Sequence, residues 1–348
     1  MGAGGMERVM SQLASYFVQF SNYQVYLIIL TKQQKFYSIP DNVTIIEPEF
    51  NYRGNARLIF TFRIMYFLRR KVKSLKPDYV LSFGGKYNSF VILSLFKVRT
   101  RIFISDRSQP GISYGLFLDY INPLVYKFSH GIVAQTIQAK CALYKVTRHR
   151  NIKVIGNPIS VEVNKSSVER ENIILNVGRF ISSKHQELLV DFFDEIDNKD
   201  WKLYFIGDGP KFDAVKERAQ GARSSDRIFF IGKISNVAEY YQKAKIFAFT
   251  SVSEGFPNVL GEAMGAGLAC ISFDCLAGPA DLIDNNTNGF LVPINAHTEY
   301  ISKLQLLMED ESLIKKFSYN GKKKIEHYDL DKIGQSFLDF FNSDENIN

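Results

Sequence analysis

Two glutamates, Glu254 and Glu262, flank a glycine–phenylalanine–proline turn in the stretch SVSEGFPNVLGEAMGAG, residues 251–267. On one continuous helix, eight positions would bring both carboxylates roughly to one face. That is the placement of an acid and a nucleophile in glycoside hydrolysis. Gly255 and Pro257 argue against such a helix. KIFAFTSVSEGFPNVLGEAMGAG reads instead as strand, loop and a helix starting around Pro257. Glu254 then falls in the loop at the strand's carboxyl end, and Glu262 in the helix's second turn. Backbone N–H groups around 256–259 would be free to bind anionic oxygens. Taken singly, each glutamate has a plainer role, Glu254 beside the positive end of a helix dipole and Glu262 on a solvent-facing helix position. The run of small residues after them is less simply explained that way.

Cations stand at a second strand end. In NVGRFISSKHQELL (176–189) a buried strand ends in Gly178 and Arg179, and Lys184 lies near the start of the next helix. Two such charges could neutralise a diphosphate and stabilise it as it leaves; solvated loop charge is the competing role. IGDGP (206–210) and IGKISN (231–236) are strands running into tight turns. Their Gly207, Gly209 and Gly232 permit close backbone approach to a ligand, although α/β turns need glycine in any case. The opening GAGGME is not G-x-G-x-x-G, because Glu7 occupies the third glycine place, and no P-loop pattern occurs.

The elements that must position these residues alternate between short β-rich runs and helical patterns, the signature of parallel sheets. Candidate strands are QVYLIIL (24–30), 42–46, 78–83, 101–105, 131–135 and 152–157, then after a polar stretch 173–179, 202–209, 227–232, 246–251, 269–273 and 289–293. Helical patterns fill 55–75, 86–97 and 116–129 in the first series. Two doubly wound α/β domains with a cleft between them follow, with ligands at the carboxyl ends of the strands. The domains are placed at 1–158 and 172–325, joined by a linker 159–171, with 326–348 as a helix packing back on the first domain. GAGGMERVM reads as a glycine-rich turn opening a helix at about 5–20, which normally follows a strand. Only Met1 precedes it, so the first strand of the N-terminal sheet is expected to be missing, most simply through a start codon assigned too far downstream.

A length of 348 residues suits two cores better than one. Net charge of +7 favours an anionic partner, whether nucleotide, phospholipid surface or nucleic acid. No basic–aromatic nucleic-acid module supports the last. The three cysteines, Cys141, Cys270 and Cys275, lack C-x-x-C spacing and read as reduced core thiols of a cytosolic protein. No apolar run approaches a spanning helix, and the amino terminus does not read as a signal peptide.

Glu254, Gly255, Phe256, Pro257 and Glu262 resemble the E-x-F/G-P-x-x-x-x-E mark of the retaining glycosyltransferases of the family-4 type. That large family also contains sucrose synthases, bacterial mannosyltransferases and many capsule and O-antigen enzymes. The resemblance extends to Gly4, Gly5, Glu7 and Arg8 near the start, to Arg179 and Lys184, and to GDGP and GKISN. It implies a GT-B fold, two Rossmann-like domains facing across a cleft. It also implies that Arg179 and Lys184 bind the diphosphate of a nucleotide sugar. Glu262 would hold the ribose hydroxyls and Glu254 the donor-sugar hydroxyls. The amides of Phe256, Asn258 and Val259 would cap sugar and phosphate, with Gly255, Pro257, Gly207 and Gly232 completing the donor site, and Gly4 and Gly5 would approach from the other domain. ISDRSQP (104–110) is similar to a segment of polyprenyl-diphosphate-linked N-acetylhexosamine transferases, which places Asp106 and Arg107 on the acceptor side.

The resemblance implies transfer with retained anomeric configuration, without metal or cofactor, from a UDP-hexose or UDP-N-acetylhexosamine. The acceptor would be a saccharide or lipid-linked saccharide in surface polysaccharide biosynthesis. The D-x-D match at 329–331 sits at a helix start and reads as capping rather than as a metal site. NARLIFTFRIMYFLRRKVKSLKP (55–77) and GISYGLFLDYINPLVYKF (111–128) are rich in aromatic and, in the first case, basic residues. They read either as core helices with solvated basic edges or as a surface for the anionic cytoplasmic face of a membrane. Two alternatives remain: a nucleotide-sugar-binding protein inactive through the missing N-terminal strand, and a Rossmann oxidoreductase.

Overall fold

Runs of β-branched and aromatic residues form parallel strands, and the intervening amphipathic segments form the helices that cover them. The computed structural model describes residues 5–30, 37–50, 57–160 and 169–343. They divide into two compact units, Met1–Pro158 with Leu330–Asn348, and Ile159–Asp329.

In the first unit, α1 (Gly5–Phe17) precedes β1 (Tyr26–Ile28), β2 (Thr44–Ile46) and α2 (Arg57–Leu75). Then come β3 (Tyr79–Phe83), α3 (Asn88–Ser94), β4 (Arg101–Asp106), α4 (Leu116–Tyr126), β5 (Gly131–Ala134), α5 (Ile137–Thr147) and β6 (Ile152–Val154). The strands form two parallel sets, β1–β2 and β3–β4–β5–β6. Among the described residues no strand precedes α1. Gly4, one of the acceptor-side candidates, and most of the 159–171 linker lie outside the described residues.

The second unit runs β7 (Glu171–Val177), α6 (Gln186–Ile196), β8 (Lys202–Ile206), α7 (Phe212–Gln220), β9 (Ile228–Gly232) and α8 (Ala238–Lys243). It continues with β10 (Ala244–Phe249), α9 (Asn258–Ala266), β11 (Ala269–Asp274), α10 (Pro279–Leu282), β12 (Gly289–Pro293), α11 (His297–Glu309) and α12 (Glu311–Ile325). A last helix, α13 (Leu330–Asn342), belongs to the first unit and packs beside α1.

The second unit's sheet is parallel throughout, in the order β12-β11-β10-β7-β8-β9. That is the doubly wound order, and chain direction across the sheet reverses between β7 and β10. Period-two alternation sends the side chains of these strands into two cores. Ile174, Leu203, Phe205, Ile246 and Ala248 pack on one side, with Leu189 and Phe193 of α6 and Leu304 of α11. Ile173, Leu175, Phe247 and Phe249 pack on the other, with Leu260, Ala263 and Met264 of α9. α9 is thereby fixed on this face of the sheet.

Some strands are shorter than their apolar stretches, β1 covering three residues of QVYLIIL, while β4 and β11 each run one residue beyond theirs. Helix 86–97 contracts to Asn88–Ser94. Cys270 and Cys275 are buried, but Cys141 is exposed, because it lies on the outer face of α5 rather than in the core. α2 has one buried and one exposed apolar side. Ile64, Leu68 and Val72, spaced by four, are buried, while Leu58, Ile59, Phe62 and Tyr66 are exposed.

Candidate active site

Lys184 closes a short 3-10 turn, Ser182–Lys184, that follows β7. The segment after β10 is tied to that turn by three hydrogen bonds. Thr250 Oγ1 donates to the Lys184 carbonyl at 2.9 Å, and the Val252 N–H to the Ser183 carbonyl at 2.9 Å. Ser251 Oγ donates to the same Ser183 carbonyl at 3.1 Å. The tie carries Glu254 to Lys184, and Lys184 Nζ donates to Glu254 Oε1 in an ion pair. The ammonium also lies 5.0 Å from the centroid of the Phe249 ring, a cation–π contact. Both partners are largely buried, at 17% and 11% exposure. The pair therefore sits where the order of the sheet reverses, the position at which doubly wound sheets bind ligands.

Glu262 is in the second turn of α9 but is half-buried rather than solvent-facing. Its Oε2 accepts from the hydroxyl of the buried Tyr241 at 3.3 Å, and that hydroxyl also lies 3.3 Å from the Val259 carbonyl. Pro257 precedes the helix, and the Asn258 N–H donates to the Phe256 carbonyl at 3.0 Å. That amide, expected to be open to an anionic oxygen, is thus engaged within its own turn. Phe256 and Pro257 are buried, with Gly255, Asn258 and Val259 partly exposed around them. Gly278 lets the following loop reach Pro257, since a Cβ there would lie 2.3 Å from the Pro257 Cδ. Arg179, two residues beyond β7, is exposed, and its carbonyl accepts from Gln186 Nε2 at 3.1 Å.

Gly207, just past the end of β8, lies beside Gly232, the last residue of β9, with the Gly207 N–H donating to the Gly232 carbonyl at 3.0 Å. Gly207 has φ +138°, and a Cβ on it would lie 1.9 Å from the Gly178 carbonyl oxygen. Glycine is required there by the approach of two strand ends, whatever else the turn contacts.

In the first unit, Gly5 begins α1, and Asp106 ends β4 with Arg107 next to it. Asp106 Oδ1 accepts from Tyr114 Oη at 2.9 Å and from the Ser108 N–H at 3.2 Å. Burial raises the Asp106 pKa against the opposing effect of these bonds. A cavity of about 270 Å³ runs past Asp106, Tyr114, Asn122, Pro123 and Leu143. Arg107 turns inward instead. Its Nε donates to Ser105 Oγ at 2.9 Å, Nη1 donates to Asn157 Oδ1, and the guanidinium faces the rings of Phe83 and Phe337. Burial pulls its pKa down to about 9.

Beside the ion pair, burial together with the Glu254 carboxylate pushes the Cys275 thiol up to about 12. Among the described residues, no three His, Cys, Asp or Glu side chains gather as a metal site. No helix among them is long and apolar enough to cross a membrane. Tyr241, Phe249 and the 250–252 tie were not among the sequence candidates.

The fold is matched by solved structures. The apo form of the lipopolysaccharide outer core galactosyltransferase WaaB aligns with TM-score 0.80 at 21% identity, over 99% of this chain and 97% of that one. HepE of Anabaena, in complex with UDP, aligns with TM-score 0.80 at 15% identity, over 98% and 97%. The fold is GT-B.

Residues 161–324 match the family model of Glycosyl transferases group 1, and the chain carries a domain of that family. Lys184, Glu254 and Glu262 all fall within it. The amylovoran biosynthesis glycosyltransferase AmsD of Erwinia amylovora is 28% identical over 354 residues, covering 98% of this chain and 96% of that protein. An α-1,4-N-acetyl-D-galactosaminyltransferase of Campylobacter jejuni, named for a diphospho-undecaprenol-linked saccharide, is 25% identical over 97% of this chain and 95% of its own length. The relatives are thus glycosyltransferases of polysaccharide and lipid-linked saccharide biosynthesis.

Proposed function

We propose that this protein is a retaining glycosyltransferase that moves a hexose or N-acetylhexosamine from a UDP-sugar to a polyprenyl-diphosphate-linked saccharide. The observation that carries the reading is the Lys184–Glu254 pair at the reversal point of the sheet. An ammonium and a carboxylate held together there are suited to the two ends of one donor. Lys184, with Arg179, meets the diphosphate, and Glu254 accepts from hydroxyls of the sugar. Glu262, oriented by Tyr241, accepts from the ribose hydroxyls.

In this mechanism the acceptor hydroxyl attacks the anomeric carbon on the face from which the diphosphate departs. The bond from that carbon to the β-phosphate oxygen breaks as the new glycosidic bond forms, and the electron pair remains on the phosphate. The acceptor's proton passes to a departing phosphate oxygen. Charge develops on phosphate, so cations stabilise the transition state more than a carboxylate acid–base pair could. Lys184 and Arg179 take the part that a divalent metal would otherwise play. On the acceptor side, Asp106 accepts from the saccharide at the floor of its cavity. The Campylobacter relative's name supports the lipid-linked acceptor. The exposed Leu58, Phe62, Leu116, Phe117 and Tyr120 of α2 and α4 support seating on the cytoplasmic face of an anionic membrane.

The test is to incubate the protein with UDP-sugars and an undecaprenyl-diphosphate-linked saccharide, with EDTA present. The reading expects UDP release and a product whose anomeric proton coupling shows the α-configuration of the donor. A β-linked product would overturn the retaining mechanism, and dependence on added metal would overturn the role of the cations.

A further inference from the structure

Arg170 stands immediately before β7, and its guanidinium is held at the ends of two helices. Nη1 donates to the Tyr241 carbonyl at 3.0 Å and to the Ala244 carbonyl, in the last turn and at the cap of α8. Nη2 donates at 2.5 Å to the carbonyl of Ala266, the last residue of α9. Helix ends leave their last carbonyls without intrahelical partners and carry partial negative charge. A planar fork of N–H groups can serve two such ends at once, which a single ammonium cannot. Arg170 and both helices lie in the second unit.

The same two helices carry the Tyr241–Glu262 contact. Tyr241 offers its carbonyl to Arg170 and its hydroxyl to Glu262. Ala266 lies about one turn beyond Glu262 on α9. The guanidinium therefore fixes the distance between the two backbone turns from which the hydroxyl and the carboxylate project. That distance matters, because the 3.3 Å between Tyr241 Oη and Glu262 Oε2 is already longer than an ordinary O–H···O bond. A further separation of about 0.3 Å would end it. α8 has only 6 residues, too few to hold its own position through its internal bonds. Burial lowers the Arg170 pKa, the mark of a guanidinium withdrawn from water rather than solvated on a loop.

We propose that Arg170 is a positioning residue of the donor site, clamping the carboxyl ends of α8 and α9 so that Glu262 is held where it accepts from a ribose hydroxyl. The inference rests on the role proposed above for Glu262. Arg170 touches neither nucleotide nor sugar, and acts through the spacing of the two helices. Its loss removes the recognition of the ribose hydroxyl and leaves the contacts to the rest of the nucleotide.

Calorimetric binding of UDP and of 2′-deoxy-UDP to the full chain tests it. The parent is compared with Glu262→Gln, Arg170→Gln and Arg170→Lys, each shown by circular dichroism to be folded. Arg170→Lys keeps the charge, so the comparison stands even where Arg170→Gln does not fold. The parent is expected to prefer UDP by about tenfold or more. Glu262→Gln should bring the preference to within about twofold, and either Arg170 variant to below about threefold, chiefly through weaker binding of UDP. A clamp that only stabilised the fold would leave the ratio of the two affinities at the parent's value, because unfolding weakens both ligands alike. An undiminished preference in either folded Arg170 variant, with the loss seen in Glu262→Gln, would overturn the inference alone. No preference in the parent, or an unchanged one in Glu262→Gln, would overturn the role of Glu262 and the inference with it.

Discussion

Lys184 and Glu254, 70 positions apart, form an ion pair where β7 and β10 end side by side. Neither side chain reaches the other through its own loop alone. The contact exists because Thr250, Ser251 and Val252 bind the backbone of the 182–184 turn.

The pair is asymmetric in what each substitution leaves behind. Lys184→Met strands a carboxylate that is 11% exposed, and is expected to cost about 1–3 kcal/mol. Glu254→Gln keeps an acceptor for the ammonium and should cost less than about 1 kcal/mol. Urea unfolding followed by Trp201, the single tryptophan and buried in the same unit, checks this. Equal losses would contradict this asymmetry.

In the proposed donor site Tyr241 acts through Glu262. Tyr241→Phe keeps the ring in its core and removes only the hydroxyl that orients the carboxylate. The KM for the UDP-sugar is expected to rise about three- to tenfold with kcat little changed, the pattern of lost ground-state binding. A fall in kcat at constant KM would contradict a positioning role.

Gly207→Ala is expected to destabilise the second unit by more than about 2 kcal/mol. The added Cβ meets a backbone oxygen at 1.9 Å, at φ +138° where side chains are strained. A melting temperature within a degree or two of the parent's would show that the two strand ends can separate without cost.

Asp106 links stability to pH. Burial raises its pKa in the folded protein above the ordinary range of an aspartate carboxyl. A raised acid binds protons more readily folded than unfolded, so its ionisation costs stability as pH rises through that window. Asp106→Asn should therefore be more stable than the parent at pH 7, with the advantage shrinking as pH falls towards 4. Thermal melts across that range check the sign, and a constant difference would contradict it.

The strands were legible from their β-branched and aromatic runs, because two-sided burial leaves little polar alternation to mislead. Lys184 and Glu254 were legible as separate candidates, each at the carboxyl end of a buried run. Their pairing was not, because it depends on hydrogen bonds between loops far apart in sequence. Tyr241 carried no signal, since an aromatic on a short helix is ordinary core until its hydroxyl is seen beside Glu262. The Asn258 amide was read as open because helix starts leave donors unsatisfied, whereas this turn folds the Phe256 carbonyl back onto it. Cys141 followed the general burial of thiols, which the outer face of α5 does not share.

Turnover in two variants tests the central claim most directly. UDP release from a UDP-sugar in the presence of an undecaprenyl-diphosphate-linked saccharide is measured for the parent, Lys184→Ala and Glu254→Ala, each shown by circular dichroism to be folded. The pair's role in donor binding predicts a loss of about a hundredfold or more in both. Near-parental turnover in either folded variant would contradict it.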